Sequence, residues 1–189
     1  MKKALSLVLV LLLALSVGAF AFQNEPEGFR GLKWGDPPQS VKDMSYCPYA
    51  DRDFDITIYE RVNDKMQIGG AELRSIRYLF YENRFMAVEI KPDFINEYDK
   101  LKDVLLLKFG NGVVPKSSDY GFTEQIVWSG DLAIIVLEKS LKRAIELLLI
   151  YSTEIWEEKE EEFSVKKEEA ERKKEEERQK AAEEGLDDF

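Results

Sequence analysis

Residues Ala71 to Ile90, AELRSIRYLFYENRFMAVEI, constrain the fold more than any other stretch. Ile76, Tyr78 and Phe80 fall on alternate positions, and Met86, Val88 and Ile90 do the same on the return. A period of two in β-branched and aromatic residues marks strands, and two such runs flanking Glu82-Asn83 mark a hairpin. Side chains alternate between faces, so the parity of the loop decides whether the two apolar sets meet. A two-residue loop sets Ile76 opposite Glu89. A three-residue loop, Tyr81-Glu82-Asn83, sets Ile76 opposite Val88 and Tyr78 opposite Met86, and places Asn83 in the left-handed region it tolerates. The pattern therefore predicts the odd loop. One face is then apolar, and the other, half polar, carries Arg77, Leu79, Phe85, Ala87 and Glu89.

The stretch before the domain reads as an export leader. Lys2 and Lys3 form a charged start, Ala4 to about Gly18 is apolar, and Ala19-Phe20-Ala21 fits a small-x-small cleavage pattern, so the mature chain begins at Phe22. An apolar run of about 17 residues is short for a spanning helix, which needs about 20. There is no cysteine at the cleavage point to carry a lipid anchor. Loss of the two lysines takes the formal charge from −10 to −12. Such a chain lacks the clustered Lys and Arg that nucleic acid or anionic lipid would require.

Composition removes several chemistries. The 189 residues include no histidine, which excludes Ser-His-Asp and Cys-His machinery and the imidazole ligands of most catalytic zinc sites. Cys47 is the only cysteine, so no disulfide forms within one chain. It reads as a small buried apolar residue, with an intermolecular disulfide or reactive thiol as the alternative. Asp51, Asp53 and Asp55 alternate as in a calcium loop, but Ile56 and Val62 stand where that loop needs Gly and Glu. No cofactor or metal site is expected, and Gly69-Gly70 lacks the spacing of a phosphate cradle.

Along the mature chain, Phe29 to Trp34 reads as a short edge strand, followed by a helix from Pro37 to Met44 capped by Asp36, with Gln39 completing the capping box. Asp55 to Val62 and Met66 to Ile68 read as strands. Asp93 caps a helix from about Phe94 to Phe109, whose Phe94, Tyr98, Leu101, Val104, Leu105 and Lys108 share a face. Gly110 ends it. Phe122 to Trp128 and Leu132 to Glu138 read as strands around a turn at Ser129-Gly130-Asp131. Arg143 to Tyr151 is ambiguous in period, and strand is preferred over helix because Ser152-Thr153 offers a fresh N-cap.

The segment Phe29-Arg30-Gly31-Leu32-Lys33-Trp34-Gly35, with Ile68-Gly69-Gly70, Tyr78-x-Phe80, Lys108-Phe109-Gly110 and Trp128, resembles a family of uncharacterised exported bacterial proteins that open with Phe-x-Gly-x-x-Trp-Gly. The likeness covers about Phe29 to Trp156. It implies a secreted α+β domain and carries over no catalytic residue.

The predicted elements repeat as helix-strand-strand-strand, over about Pro37 to Ile90 and again over Phe94 to Tyr151. The expected fold is α+β: an antiparallel sheet of six to seven strands with two helices packed on one face. That layout resembles the twin modules of exported β-lactamase-inhibitor proteins and, more distantly, small envelope-assembly lipoproteins. Residues 1–21 are then the leader, 22–152 the domain and 153–189 a charged tail. Thr153 caps the tail, Ile155, Trp156 and Phe163 dock it, and pairs such as Glu168/Arg172 solvate it. No apolar heptad passes Val165, so a coiled coil is poorly supported.

Three functions fit this reading. The first is a non-catalytic binding or scaffold module in the periplasm or outside the cell, meeting a protein partner through Tyr59, Leu79 and Phe85. The second is a carboxylate-based cell-wall hydrolase, for which Glu60, Glu89, Glu124 and Glu146 are the candidates outside the tail. The third is a spacer or oligomerisation role for the tail.

Overall fold

A computed structural model describes residues 22–48, 56–115, 124–140 and 145–186. The leader and the Asp51/Asp53/Asp55 loop lie outside them. Among the described residues the order is β1 (Gly28–Phe29), β2 (Leu32–Lys33), a 3-10 turn (Pro38–Ser40), β3 (Met44–Tyr46), β4 (Ile56–Arg61), β5 (Gln67–Ile68), β6 (Ala71–Tyr81) and β7 (Arg84–Pro92). Helix α1 (Ile95–Phe109), β8 (Glu124–Ser129), β9 (Ala133–Ser140), β10 (Ile145–Ser152) and helix α2 (Thr153–Leu186) follow. The protein is α+β, with the main sheet in the order β3-β4-β6-β7-β10-β9-β8 and β5 pairing with the start of β6.

All pairings are antiparallel. The sheet is two meanders joined along β7 and β10. Apolar rungs run straight across that seam. One is Ile76–Ile90–Leu148–Leu137–Ile126, and the next is Tyr78–Val88–Ile150–Ile135–Trp128; every member is buried. These rungs form the inner face. Helix α1 lies on it through Tyr98, Leu101, Leu105 and Phe109, at helical spacings of three and four. Burying four large side chains there contributes on the order of 8 kcal/mol. The Arg143–Tyr151 ambiguity resolves as strand from Ile145 onward, because a helix could not supply Leu148 and Ile150 to successive rungs of a sheet; Arg143 and Ala144 lie outside the described residues.

The hairpin has a two-residue turn, not the three-residue loop. Glu82 and Asn83 both have positive φ, 47° and 66°, as a type I′ turn requires. Parity is corrected by a β-bulge. Tyr81 pairs with Arg84 and Phe80 with Phe85, but Leu79 pairs with Ala87, so Met86 is the extra residue. Ile76 consequently faces Ile90, and Tyr78 faces Val88. The bulge turns Phe85 inward, away from the face shared by Leu79 and Ala87.

Two helix predictions also change. Between Pro37 and Met44 only the 3-10 turn forms, without a side-chain cap, and Met44 already belongs to β3. Asp36 is engaged instead by the Lys33 N–H at 2.9 Å. One helix, α1, therefore packs on the inner face, and the helix-first repeat holds only for the second half. Helix α1 begins after Phe94 with no side-chain cap from Asp93, and Phe94 is exposed.

The N-terminal segment straps the domain together. Phe22 packs edge-on against Phe109 at 5.5 Å. One Glu25 carboxylate oxygen accepts the N–H groups of Leu132 and Ala133, at 2.7 and 2.8 Å. The Trp34 indole donates to the Pro26 carbonyl, and that of Trp128 to the Gly110 carbonyl, both at 2.8 Å.

Gly69, with φ 54°, permits the closest approach to α1. A Cβ there would lie 2.3 Å from Val104 Cγ2. Gly69→Ala is therefore expected to cost about 1–3 kcal/mol. A urea midpoint equal to that of the parent would refute this.

Candidate functional site

The outer face of the sheet is where the charged hairpin and the apolar strands of the second meander meet. One rung reads Ile58–Leu79–Ala87–Tyr151–Ile134, and the next Arg77–Glu89–Leu149–Val136–Val127. Strands β6 and β7 place charges there. Arg77 pairs with Glu60 at 3.4 Å and Glu89 at 3.5 Å, and Lys91 pairs with Glu89 at 3.2 Å. Strands β8 to β10 place Val127, Ile134, Val136, Leu147 and Leu149 on the same side, all half-buried. An antiparallel sheet normally turns polar residues to solvent on such a face.

Helix α2 crosses the end of this face nearest the hairpin tip. Ser152, rather than Thr153, supplies the capping side chain, its Oγ accepting the Ile155 N–H at 3.4 Å. Ile155 is buried, and Trp156 packs on Tyr151 at 4.8 Å. Two turns on, Arg84 donates to Glu158 at 2.8 Å, and the Tyr81 hydroxyl donates to Glu162. The Arg84 guanidinium holds the Glu158 carboxyl below the usual glutamate range. From Phe163 to Gln179 the helix is exposed wherever its side chains are described.

The three predicted contact residues do not share this face. Leu79 lies on it, half-buried beside the helix. Tyr59 belongs to the inner face, edge-on to Phe80 at 5.2 Å. Phe85 is 0% exposed and stacks on Trp34 at 5.0 Å. The bulge at Met86, which alternation could not reveal, separates Phe85 from Leu79.

The four candidate acids are each engaged by a base: Glu60 and Glu89 as above, Glu124 by Lys102, and Glu146 by Lys139 at 3.3 Å. Lys139 also lies over the Tyr98 ring at 4.7 Å. Cys47 is half-buried at the sheet edge, its N–H donating to the Ile58 carbonyl, not a core residue. Among the described residues no group of three His, Cys, Asp or Glu could hold a metal, and no helix is long and apolar enough to cross a membrane.

A polar network on the inner face escaped the sequence reading. Asp64 accepts from Arg30 and from the Tyr78 hydroxyl, each at 2.5 Å, with its side chain 7% exposed. Arg30, in a left-handed turn at φ 48°, also donates to the carbonyls of Lys65 and Gln67, while Arg61 donates to the Arg30 carbonyl. Burial, then the Asp64 hydrogen bond, pushes the Tyr78 phenol well above its ordinary range. The available signal was a tyrosine amid a buried strand, since a buried phenol needs a partner.

No family model, curated protein or solved structure matches the chain.

Proposed function

We propose that this is an exported, non-catalytic binding or scaffold protein of the bacterial cell envelope, and that the outer face of the sheet meets a protein partner. The supporting observation is the half-exposed row Val127, Val136 and Leu149, continuous with Ile134 and Leu147, bordered by the Glu60–Arg77–Glu89–Lys91 ion pairs. Apolar patches rimmed by polar groups mark contact surfaces. Of the residues expected from sequence, Leu79 keeps its place in this reading.

The test is capture from the native envelope by the mature protein, compared with a Val127→Lys/Val136→Lys variant. Wild type is expected to retain a partner, and the variant to lose it at least tenfold while keeping its circular dichroism and melting temperature. Undiminished capture by the variant would remove the outer face from the proposal. Turnover of peptidoglycan by the pure protein would remove the non-catalytic reading.

A spacer role for α2 is the second reading, favoured by its length. Thirty-four helical residues reach about 50 Å at ~1.5 Å each.

A further inference from the structure

The buried apolar residues form two separate clusters. The larger, on the inner face, includes nothing from α2. The smaller, on the outer face, consists of Tyr81, Met86, Ala87 and Ile155, with Leu79, Leu149, Tyr151 and Trp156 among its half-buried neighbours. Helix α2 supplies only Ile155 and Trp156 to it. The β-bulge presents Met86 and Ala87 to that side, and both are buried where the helix crosses. Leu149 belongs to this cluster and also stands beside Val136 in the uncovered row. The helix thus covers one half of a single apolar surface and leaves the other half open.

What holds the helix down is also divided. Its root is fixed by hydrogen bonds to two backbone carbonyls: the Thr153 N–H donates to that of Leu132 at 3.1 Å, and the Thr153 hydroxyl to that of Gly130 at 3.2 Å. The next fastening is the hairpin tip, where Arg84 grips Glu158, Tyr81 grips Glu162, and the guanidinium lies 6.0 Å from the Tyr81 ring centroid. The Arg84 and Glu158 side chains are 34% and 44% exposed, and an ion pair so exposed closes and opens at small cost compared with core packing; the Tyr81 ring is buried, and its hydroxyl alone reaches Glu162. Methionine, which adapts its shape to different neighbours, is a suitable floor for a contact that is made and unmade.

We propose that the first three turns of α2 are a releasable cover, latched by Tyr81 and Arg84, that hides half of the outer face until the latch opens. The inference rests on the outer face being the contact surface proposed above, and it adds the element that controls access. The resting occupant of the covered half is the chain's own helix. Release joins Leu79, Met86, Ala87 and Tyr151 to the row already open. A partner that binds the whole face binds the unlatched state better and so shifts the population toward it.

The experiment uses the mature chain carrying Tyr81→Phe and Arg84→Gln, which removes the latch donors and keeps the ring. Hydrogen exchange read by mass spectrometry is expected to speed up at least tenfold over residues 153–163 and to stay unchanged in α1, β7, β9 and β10. Binding of 1-anilinonaphthalene-8-sulfonate is expected to rise severalfold. Unchanged exchange over 153–163 would overturn the latch. Acceleration spread equally through the sheet would overturn the separate cover, because the helix would then belong to one cooperative core. A charge exchange, Arg84→Glu with Glu158→Arg, should restore slow exchange relative to Arg84→Glu alone, and failure to do so would remove that ion pair from the latch. None of these readouts involves a partner, so they stand or fall independently of the capture experiment.

Discussion

Phe85→Ala is expected to lower the stability of the domain by about 3–5 kcal/mol. That is a large part of the ~5–15 kcal/mol that holds a typical domain together. Phe85 is fully buried, stacked on Trp34 and in ring contact with Tyr78 and Phe80 at 6.0 and 5.5 Å. Its backbone is pinned as well: its N–H donates to the Asp36 carbonyl at 2.8 Å, and its carbonyl accepts the Gly35 N–H at 3.0 Å. The cavity left by alanine would thus open where the N-terminal segment meets the central hairpin, with little freedom for the walls to collapse. Denaturant titration followed by circular dichroism gives the value. A loss under about 1 kcal/mol, far below the range for buried aromatics, would mean that Phe85 is accessible as the alternation pattern had it.

Asp64→Ala is expected to cost a similar amount, about 3–5 kcal/mol, because it removes one partner of a desolvated ion pair and leaves the other behind. Asp64 anchors three things at once: the Arg30 guanidinium, the Tyr78 hydroxyl and, through Arg30, the loop at Lys65 and Gln67. Tyr78→Phe removes only the hydroxyl and is expected to cost about 1–3 kcal/mol, since the buried Asp64 carboxylate then loses one of its donors. The double variant should be less destabilised than the sum of the two, by about 0.5–3 kcal/mol, as contacting groups in one network are. Additive losses would show that the two residues act independently.

Much of the architecture was legible in the sequence because apolar alternation fixes strands wherever a face is buried. Leu132 to Glu138 became β9, shifted by a residue or two, the described part of Phe122 to Trp128, from Glu124, became β8, and the Tyr98–Leu101–Leu105 spacing became the buried stripe of α1. Legibility ended where one residue changes the parity of a strand. The bulge at Met86 keeps Ile76, Tyr78, Phe80, Val88 and Ile90 on the inner face but sends Met86 to the outer side and Phe85 to the inner, and a period of two carries no mark of it. The capping signature at Asp36 failed because the Phe85 N–H takes the Asp36 carbonyl, drawing that segment onto β7 as extended chain. The candidate site was half legible: the second, half-polar face was visible around Arg77, Leu79 and Glu89, but its extension across β8 to β10 needed the β7–β10 pairing. That pairing joins residues 58 to 64 positions apart, and no local pattern specifies it.

The Glu25 strap has a consequence for the order of events during synthesis. The acceptor is made first, and its two donors, Leu132 and Ala133, follow 107 and 108 positions later. The ring that receives Phe22 is Phe109. The contacts of Phe22 and Glu25 therefore cannot form until the chain has been made through Phe109 and Ala133 respectively, so the segment that straps the domain is made early and fastened last.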